Sequence, residues 1–276
     1  MKKFFFKIII FVVPFFVILN IPKITHYIFK DEIKAKINMF VTDFNEPMII
    51  IGGDSRAERQ IIPKIIEERF GISTINIGVS AGDIGSYYNA LYEYDLINKD
   101  VLGIISVSSI EINDNVVGKW GIPHAYVTYI SLFDNIKLFG WGFPSMMLER
   151  FRLIFEEIFT NRLNYVLNDS DSRIETKGFL GISGDITRWE FDEINLKADT
   201  LKVGWYLNSN HNGACKRTFN KIIKKIASSD MNIVLIQPPV SPSWYQYTSG
   251  TFIDSIELDH SKYLKYIASK YDNISF

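Results

Sequence analysis

The stretch "MIIIGGDSRAERQ", residues 48–60, decides the fold. A run of apolar, strand-forming residues ends in two glycines, an acid and a serine, and a helix-forming segment follows. A strand that passes through a tight glycine turn into a helix is the first half of a βα unit. The stretch therefore predicts a strand over Met48–Ile51 and leaves two interpretations of Ser55. It is either a nucleophile exposed by the turn or a polar residue that caps the next helix.

The same alternation continues towards the C-terminus. Strands are predicted at "STINIGV", "VLGIISVSS", "MNIVLIQPPV" and "ISF". Among the helices between them, "PKIIEERFG" places Ile62, Ile66 and Phe70 on one face, with Pro63 in the first turn and Gly71 as the stop. Apolar strands that alternate with helices indicate an α/β fold: a doubly wound, mostly parallel sheet flanked by helices.

The chain divides into three predicted regions. Residues 1–22 start with lysines and continue as an apolar run, which is typical of an uncleaved transmembrane signal-anchor with the bulk of the chain extracytoplasmic. A removable signal peptide and a buried core helix are the less favoured alternatives. Residues 23–46 are a predicted connector, and residues 47–276 are the predicted α/β domain. The alternation lapses over about 116–210, which predicts a helical insertion that forms a cap or a substrate platform.

Composition excludes several classes of function. The 276 residues carry a formal net charge of −1, so no basic surface for a nucleic-acid partner is expected. Cys215 is the single cysteine, which excludes an intramolecular disulfide and C-x-x-C sites. The four histidines lie far apart and none has H-x-x-x-H spacing. We therefore expect no metal and no organic cofactor.

Polar residues follow three of the predicted strands, in "GGDSR", "GVSAGD" and "SSIEIND". Ligands of open α/β sheets bind outside the carboxyl ends of the strands. A serine nucleophile needs a base and hydrogen-bond donors for the developing oxyanion. The candidate nucleophile is Ser55, and the candidate donors are its own N–H, the backbone N–H of Ala81 or Gly82, and the side-chain amide of Asn113.

Two neighbours of Ser55 have predicted roles that are less specific. Asp54 is interpreted as an acid that stabilises the turn, because its side chain should diverge from that of Ser55. Arg56 either positions an anionic or sugar group or pairs at the surface, and the sequence does not separate these roles.

Taken together, the three stretches resemble the SGNH (GDSL-like) hydrolase superfamily. "GGDSR" matches the first block, with Ser55 at the nucleophile position. "NIGVSAGD" is similar to the second block, and because it has one extra residue, either Ala81 or Gly82 could supply the backbone donor. "SSIEIND" resembles the third block more loosely, because the usual glycine before Asn-Asp is absent; Asn113 is the matching asparagine. The resemblance implies a flavodoxin-like three-layer fold and acyl transfer through an acyl-serine.

The family's base is a histidine in a D-x-x-H block that follows the last strand, and no D-x-x-H occurs in the sequence. His260 follows Glu257 as E-x-x-H, but it falls in the helix predicted to precede the last strand. The expectation is that the D-x-x-H block lies beyond Phe276 in a longer chain, and the alternative is that the base has been lost.

These features predict a membrane-anchored, extracytoplasmic SGNH-like serine esterase or acyltransferase of the cell envelope. Its expected substrate is an acyl ester, with O-acyl groups of envelope glycans favoured by the location. The alternative is a non-catalytic SGNH-fold module that binds a glycan or a partner protein in an envelope assembly. A lipase that acts on membrane lipids is a third possibility.

Overall fold

The computed structural model describes ten parts of the chain, which are residues 6–7, 10, 36, 48–79, 82–97, 100–115, 129–140, 212–238, 245–246 and 248–276. The predicted anchor, residues 1–22, lies outside the described residues apart from Phe6, Lys7 and Ile10. Within the described ranges, no helix combines the length and the apolar character that crossing a bilayer requires.

Five parallel strands form one sheet, which confirms the predicted α/β class. The sheet order is β2-β1-β3-β4-β5, and each neighbouring pair is parallel. The strands are β1 (Met48–Gly52), β2 (Ser73–Asn76), β3 (Leu102–Ser106), β4 (Asn232–Ile236) and β5 (Ile274–Ser275). β1 pairs with β2 on one side and with β3 on the other. The segments after β1, β2 and β3 therefore leave the sheet from neighbouring positions, at the carboxyl ends of the strands.

The helices follow the strands as the sequence pattern predicts. Their bounds are α1 (Ser55–Gln60), α2 (Pro63–Phe70), α3 (Ile84–Glu93), α4 (Leu132–Phe139), α5 (Ala214–Ala227) and α6 (Phe252–Lys270). Pro63 opens α2, where its missing N–H costs no helical hydrogen bond. Gly71 ends α2 with φ of 68°, in the left-handed region that favours glycine.

Apolar residues pack on both faces of the sheet. On one face, Ile50 and Ile105 belong to a large core that includes Phe219 of α5 and Leu264 of α6. The other face carries a smaller cluster of Ile49, Ile51 and Ala57 of α1, with Ile66 packed against it. Right-handed connections place α1 and α2 opposite the other helices, because the chain turns to β2 in one direction and to β3, β4 and β5 in the other.

The predicted apolar face of α2 is only partly buried. Ile66 packs against the smaller cluster, whereas Phe70 is 64% exposed and Ile62, the residue before the helix, is 36% exposed. The helix covers β2, which is the edge strand on this side, so part of its apolar face extends beyond the sheet.

The described residues on either side of the predicted insertion meet at the start of α5. The Asp114 carboxylate accepts hydrogen bonds from the backbone N–H groups of Ala214 at 2.9 Å and Cys215 at 2.8 Å. The described part of the insertion, residues 129–140, packs on the domain: the Tyr129 hydroxyl donates to Asn89 Oδ1 at 2.5 Å. The aromatic stretch "GWGFPSMMLERFRLIFEEIF", residues 140–159, lies outside the described residues apart from Gly140.

Candidate functional site

Glycine packing brings the segments after β1 and β2 into contact with each other and with the end of β3, at the carboxyl edge of the sheet. Gly53 has φ of 136°, and a Cβ there would lie 2.7 Å from the carbonyl oxygen of Ser106, the last residue of β3. A Cβ on Gly82 would lie 2.5 Å from the carbonyl oxygen of Gly53. Side chains at either position would push the three segments apart, so glycine is what permits their close approach.

Asp54, and not Ser55, caps α1. Its carboxylate accepts the backbone N–H of Arg56 at 2.9 Å, and Ser55 is the first residue of the helix. The prediction that Asp54 stabilises the turn is therefore confirmed, and the interpretation of Ser55 as the helix cap is wrong. The Arg56 guanidinium pairs with the same carboxylate at 2.7 Å, in a partly buried ion pair beside Ser55.

Ala81 and Gly82 are the two candidates for the second backbone donor of the predicted oxyanion hole. Ala81 lies outside the described residues. The N–H of Gly82 donates to the carbonyl oxygen of Val79 at 2.8 Å, which closes a turn next to Gly53. In this conformation the Gly82 N–H is already used, so Ala81 is the better of the two candidates for an oxyanion donor.

Asn113 lies in the loop after β3 and is 1% exposed. Its Oδ1 accepts the backbone N–H of Asn115 at 3.1 Å, and its own backbone N–H donates to Ile110 at 3.1 Å. The first of these bonds holds the Oδ1 end of the Asn113 amide within the loop.

Glu111 is a buried acid of the same loop that sequence reasoning did not select. Its Oε1 accepts the backbone N–H of Ile84 at 2.7 Å, which joins the loop after β3 to the start of α3. Burial, first, and the nearby Asp83 carboxylate raise the pKa of Glu111 well above its usual range, and Asp54 adds to this. The Ile84 N–H and the Arg56 guanidinium act in the opposite direction. An acid between two isoleucines, Ile110 and Ile112, is the sequence signal that could have identified this residue.

Ser106 contributes a second serine hydroxyl close to the Ser55 turn. It is 3% exposed, and its Oγ has no hydrogen-bond partner within the part of the chain that the structure describes. Its Cβ lies 2.9 Å from where a Gly53 Cβ would be. Ser106 is therefore a natural comparison residue for any test of Ser55.

A further polar cluster joins α6 to the ends of β3 and β4. The Ser109 hydroxyl donates to Glu257 at 2.6 Å, and the Gln237 side-chain amide donates to the other carboxylate oxygen of Glu257 at 2.6 Å. One turn along α6, His260 is 3% exposed and its Nε2 lies 3.2 Å from the carbonyl oxygen of Val107. His260 thus lies in the helix that precedes β5, as predicted.

In the described ranges, no group of three or more His, Cys, Asp or Glu side chains is arranged to hold a metal ion. No protein-family model matches the chain, and no curated protein is significantly similar to it. The function is therefore argued from the arrangement of the residues at the carboxyl edge of the sheet.

Proposed function

We propose that the protein is a membrane-anchored, extracytoplasmic SGNH-like serine esterase or acyltransferase that acts on O-acyl groups of envelope glycans. The proposal combines the anchor predicted for residues 1–22 with the polar residues at the carboxyl edge of the sheet. The substrate class follows from the predicted location and the family resemblance.

One observation supports the proposal most. The three polar stretches selected from the sequence follow three adjacent strands, β2, β1 and β3, and the glycines of two of them pack closely together. Catalytic sites of acyl-transfer enzymes need a nucleophile and oxyanion donors that come from separate segments and converge on one carbonyl group. Because Asp54 caps α1, the side chain of Ser55 is not required for that structural role.

In the proposed reaction, Ser55 Oγ attacks the ester carbonyl carbon, and the carbonyl oxygen becomes an oxyanion. The Ser55 N–H, the Ala81 N–H and the Asn113 amide are the proposed donors to it. Collapse of this intermediate expels the alcohol with the proton that Ser55 loses and leaves an acyl-serine. Water or a sugar hydroxyl then attacks the acyl-serine. The bond between the acyl group and Ser55 Oγ breaks, the proton of the attacking hydroxyl returns to Ser55, and a carboxylic acid or a new sugar ester is released.

The test is hydrolysis of p-nitrophenyl acetate by the full chain in detergent, with Ser55→Ala beside Ser106→Ala as the matched control. We expect Ser55→Ala to lose about 1,000-fold or more in kcat/KM, because removing a serine nucleophile leaves only the effects of binding and oxyanion stabilisation. Ser106→Ala should keep most of the activity, since the Ser106 side chain is 3% exposed and packs against Gly53.

Intact-mass measurement after reaction with a fluorophosphonate gives an independent result. The wild type and Ser106→Ala should gain one adduct, and Ser55→Ala should gain none. Equal hydrolysis or equal labelling of wild type and Ser55→Ala would refute the role of Ser55.

The second candidate function is a non-catalytic module that binds a glycan or a partner protein. A gene with no D-x-x-H block downstream of the codon for Phe276 would favour it, because the proposed nucleophile needs a base. Under this alternative the wild type would bind O-acetylated glycan fragments, as measured by calorimetry, without releasing acetate. Release of acetate that depends on Ser55 would exclude it.

A further inference from the structure

Lys36 is a buried charge that the proposed reaction does not use. Its ammonium lies 2.9 Å from Glu58 Oε1, and both side chains are 0% exposed. The same ammonium donates a hydrogen bond to the carbonyl oxygen of Gly78 at 2.5 Å. Taking two charges out of water is costly, and such pairs persist where several hydrogen bonds compensate for the lost hydration.

The two partners of Lys36 belong to the elements that carry the candidate site. Glu58 is on α1, three residues after Ser55, and Gly78 is in the segment that leads from β2 to Gly82. A Cβ on Gly78 would lie 3.0 Å from the backbone nitrogen of Glu58, so this segment lies directly against α1. Lys36 therefore bridges the helix of the candidate nucleophile and the segment that ends in the proposed donor turn.

Asn76 secures the same junction from within the domain. Its Nδ2 donates to the carbonyl oxygens of Ala57 at 2.8 Å and Ile61 at 2.9 Å, near the end of α1. Its Oδ1 accepts the N–H of Gly78 at 2.9 Å. Asn76 thus holds the N–H of Gly78, and Lys36 holds its carbonyl group. With both polar groups held, the peptide units on either side of Gly78 are fixed against α1.

We propose that Lys36, a residue of the predicted connector over 23–46, is a positioning residue of the candidate site. Its effect on activity rests on the proposed function. Lys36 acts by keeping α1 and the segment at Gly78 in one relative position, and it does not touch the substrate. Misplacement of about 1 Å at a catalytic site can reduce the rate 100-fold.

The test compares four forms of the full chain: wild type, Lys36→Met, the double variant Lys36→Met with Glu58→Gln, and Lys64→Met. Met keeps the approximate length of the lysine side chain without its charge. Gln at position 58 removes the buried carboxylate that Lys36→Met alone would deprive of its ammonium partner. Lys64 is the matched control, because its side chain is 71% exposed and lies 3.8 Å from Glu68 in a surface pair.

Backbone hydrogen exchange, measured by mass spectrometry, tests whether Lys36 holds α1 and the segment at Gly78 together. This test does not require enzymatic activity. In the double variant we expect peptides that contain α1 and Gly78 to exchange at least tenfold faster, while peptides of α5 keep their wild-type rates. Lys64→Met should leave all of these rates unchanged. Wild-type exchange in both segments of the double variant would overturn the proposal.

Ester hydrolysis then separates positioning from general stabilisation. The double variant should unfold thermally near the wild-type temperature and yet show a 10- to 100-fold lower kcat with little change in KM. A stable double variant with wild-type kcat would overturn the positioning role. If the wild type itself cleaves no ester, the proposed function fails, and hydrogen exchange alone decides whether Lys36 holds the two segments.

Discussion

The contact between Asp114 and the start of α5 predicts two substitutions whose costs in folding stability do not add. Gly213 precedes α5 and has a φ of −94°, which alanine adopts without strain. A Cβ on Gly213, however, would lie 1.6 Å from Asp114 Oδ2. Gly213→Ala should therefore displace the Asp114 carboxylate and break the hydrogen bonds to Ala214 and Cys215, just as Asp114→Ala removes them.

The magnitude follows from the two hydrogen bonds that are lost. Asp114 provides the side-chain cap that Gly213 cannot, and loss of a helix cap costs about 0.5–2 kcal/mol. Hydrogen bonds to a charged group are worth about 1.5–3 kcal/mol each, less where water reaches the half-exposed carboxylate. We expect about 2 kcal/mol for Asp114→Ala and about 2 kcal/mol for Gly213→Ala. The double variant should also lose about 2 kcal/mol, because both changes break the same contact.

Urea unfolding measures these free energies, and the single cysteine measures the local effect. Cys215 is 0% exposed, and burial together with Asp114 raises the pKa of its thiol, so its labelling by a disulfide reagent requires local opening. A loss of 2 kcal/mol corresponds to labelling about 30-fold faster. Gly213→Ala is the cleaner variant, since it retains the Asp114 carboxylate that also acts on the thiol.

The matched control is Asp259→Ala, which removes an exposed acid that pairs with Lys262 on the surface of α6. It should cost less than about 1 kcal/mol and leave Cys215 labelling unchanged. The reasoning is refuted if the Asp114→Ala and Gly213→Ala costs simply add, or if Cys215 is labelled at the wild-type rate in both single variants.

Three further predictions concern the core and the loop after β3. Phe219→Ala should lower the free energy of unfolding by about 3–5 kcal/mol in urea, because the ring is 0% exposed; a loss below 1 kcal/mol would contradict its packing. Gly52→Ala should destabilise more than Tyr87→Phe in thermal unfolding, since a Cβ on Gly52 would lie 1.8 Å from the Tyr87 ring, whereas Tyr87→Phe loses only the 3.0 Å hydrogen bond to Ile50, about 1 kcal/mol. The reverse order would show that the ring does not limit Gly52. Burial and Asp83 raise the pKa of Glu111 well above 4.5, so above that pH the folded chain retains a proton that the unfolded chain has lost, and stability falls as the pH rises. Glu111→Gln should flatten this fall at pH values above 4.5, and equal slopes would contradict the prediction.

The strands and helices could be predicted because their signals are local. Apolar runs of strand length, the proline that opens α2 and the glycine that ends it all act within a few residues. The parallel arrangement followed from the alternation of these elements, and the polar stretches at the carboxyl ends of β1, β2 and β3 followed from the arrangement.

The contacts that support the candidate site could not be predicted in this way, because they join distant parts of the chain. Lys36 pairs with Glu58, 22 residues away, and Asp114 binds Cys215, 101 residues away. Neither pair leaves a periodic pattern in the sequence. The burial of Glu111 could not be predicted for the same reason, since it depends on the packing of the start of α3 against the loop after β3.

The buried Lys36 also sets how far the domain can stand from a bilayer. If residues 1–22 are the anchor, only residues 23–35 separate it from a side chain fixed within the domain, and an extended chain spans at most about 3.5 Å per residue. The tether is then no longer than about 45 Å, where a chain loose up to Met48 would extend nearly twice as far. If the proposed activity also holds, an enzyme on so short a tether would act on acyl groups near the membrane surface and would not reach the outer layers of a thick polysaccharide coat.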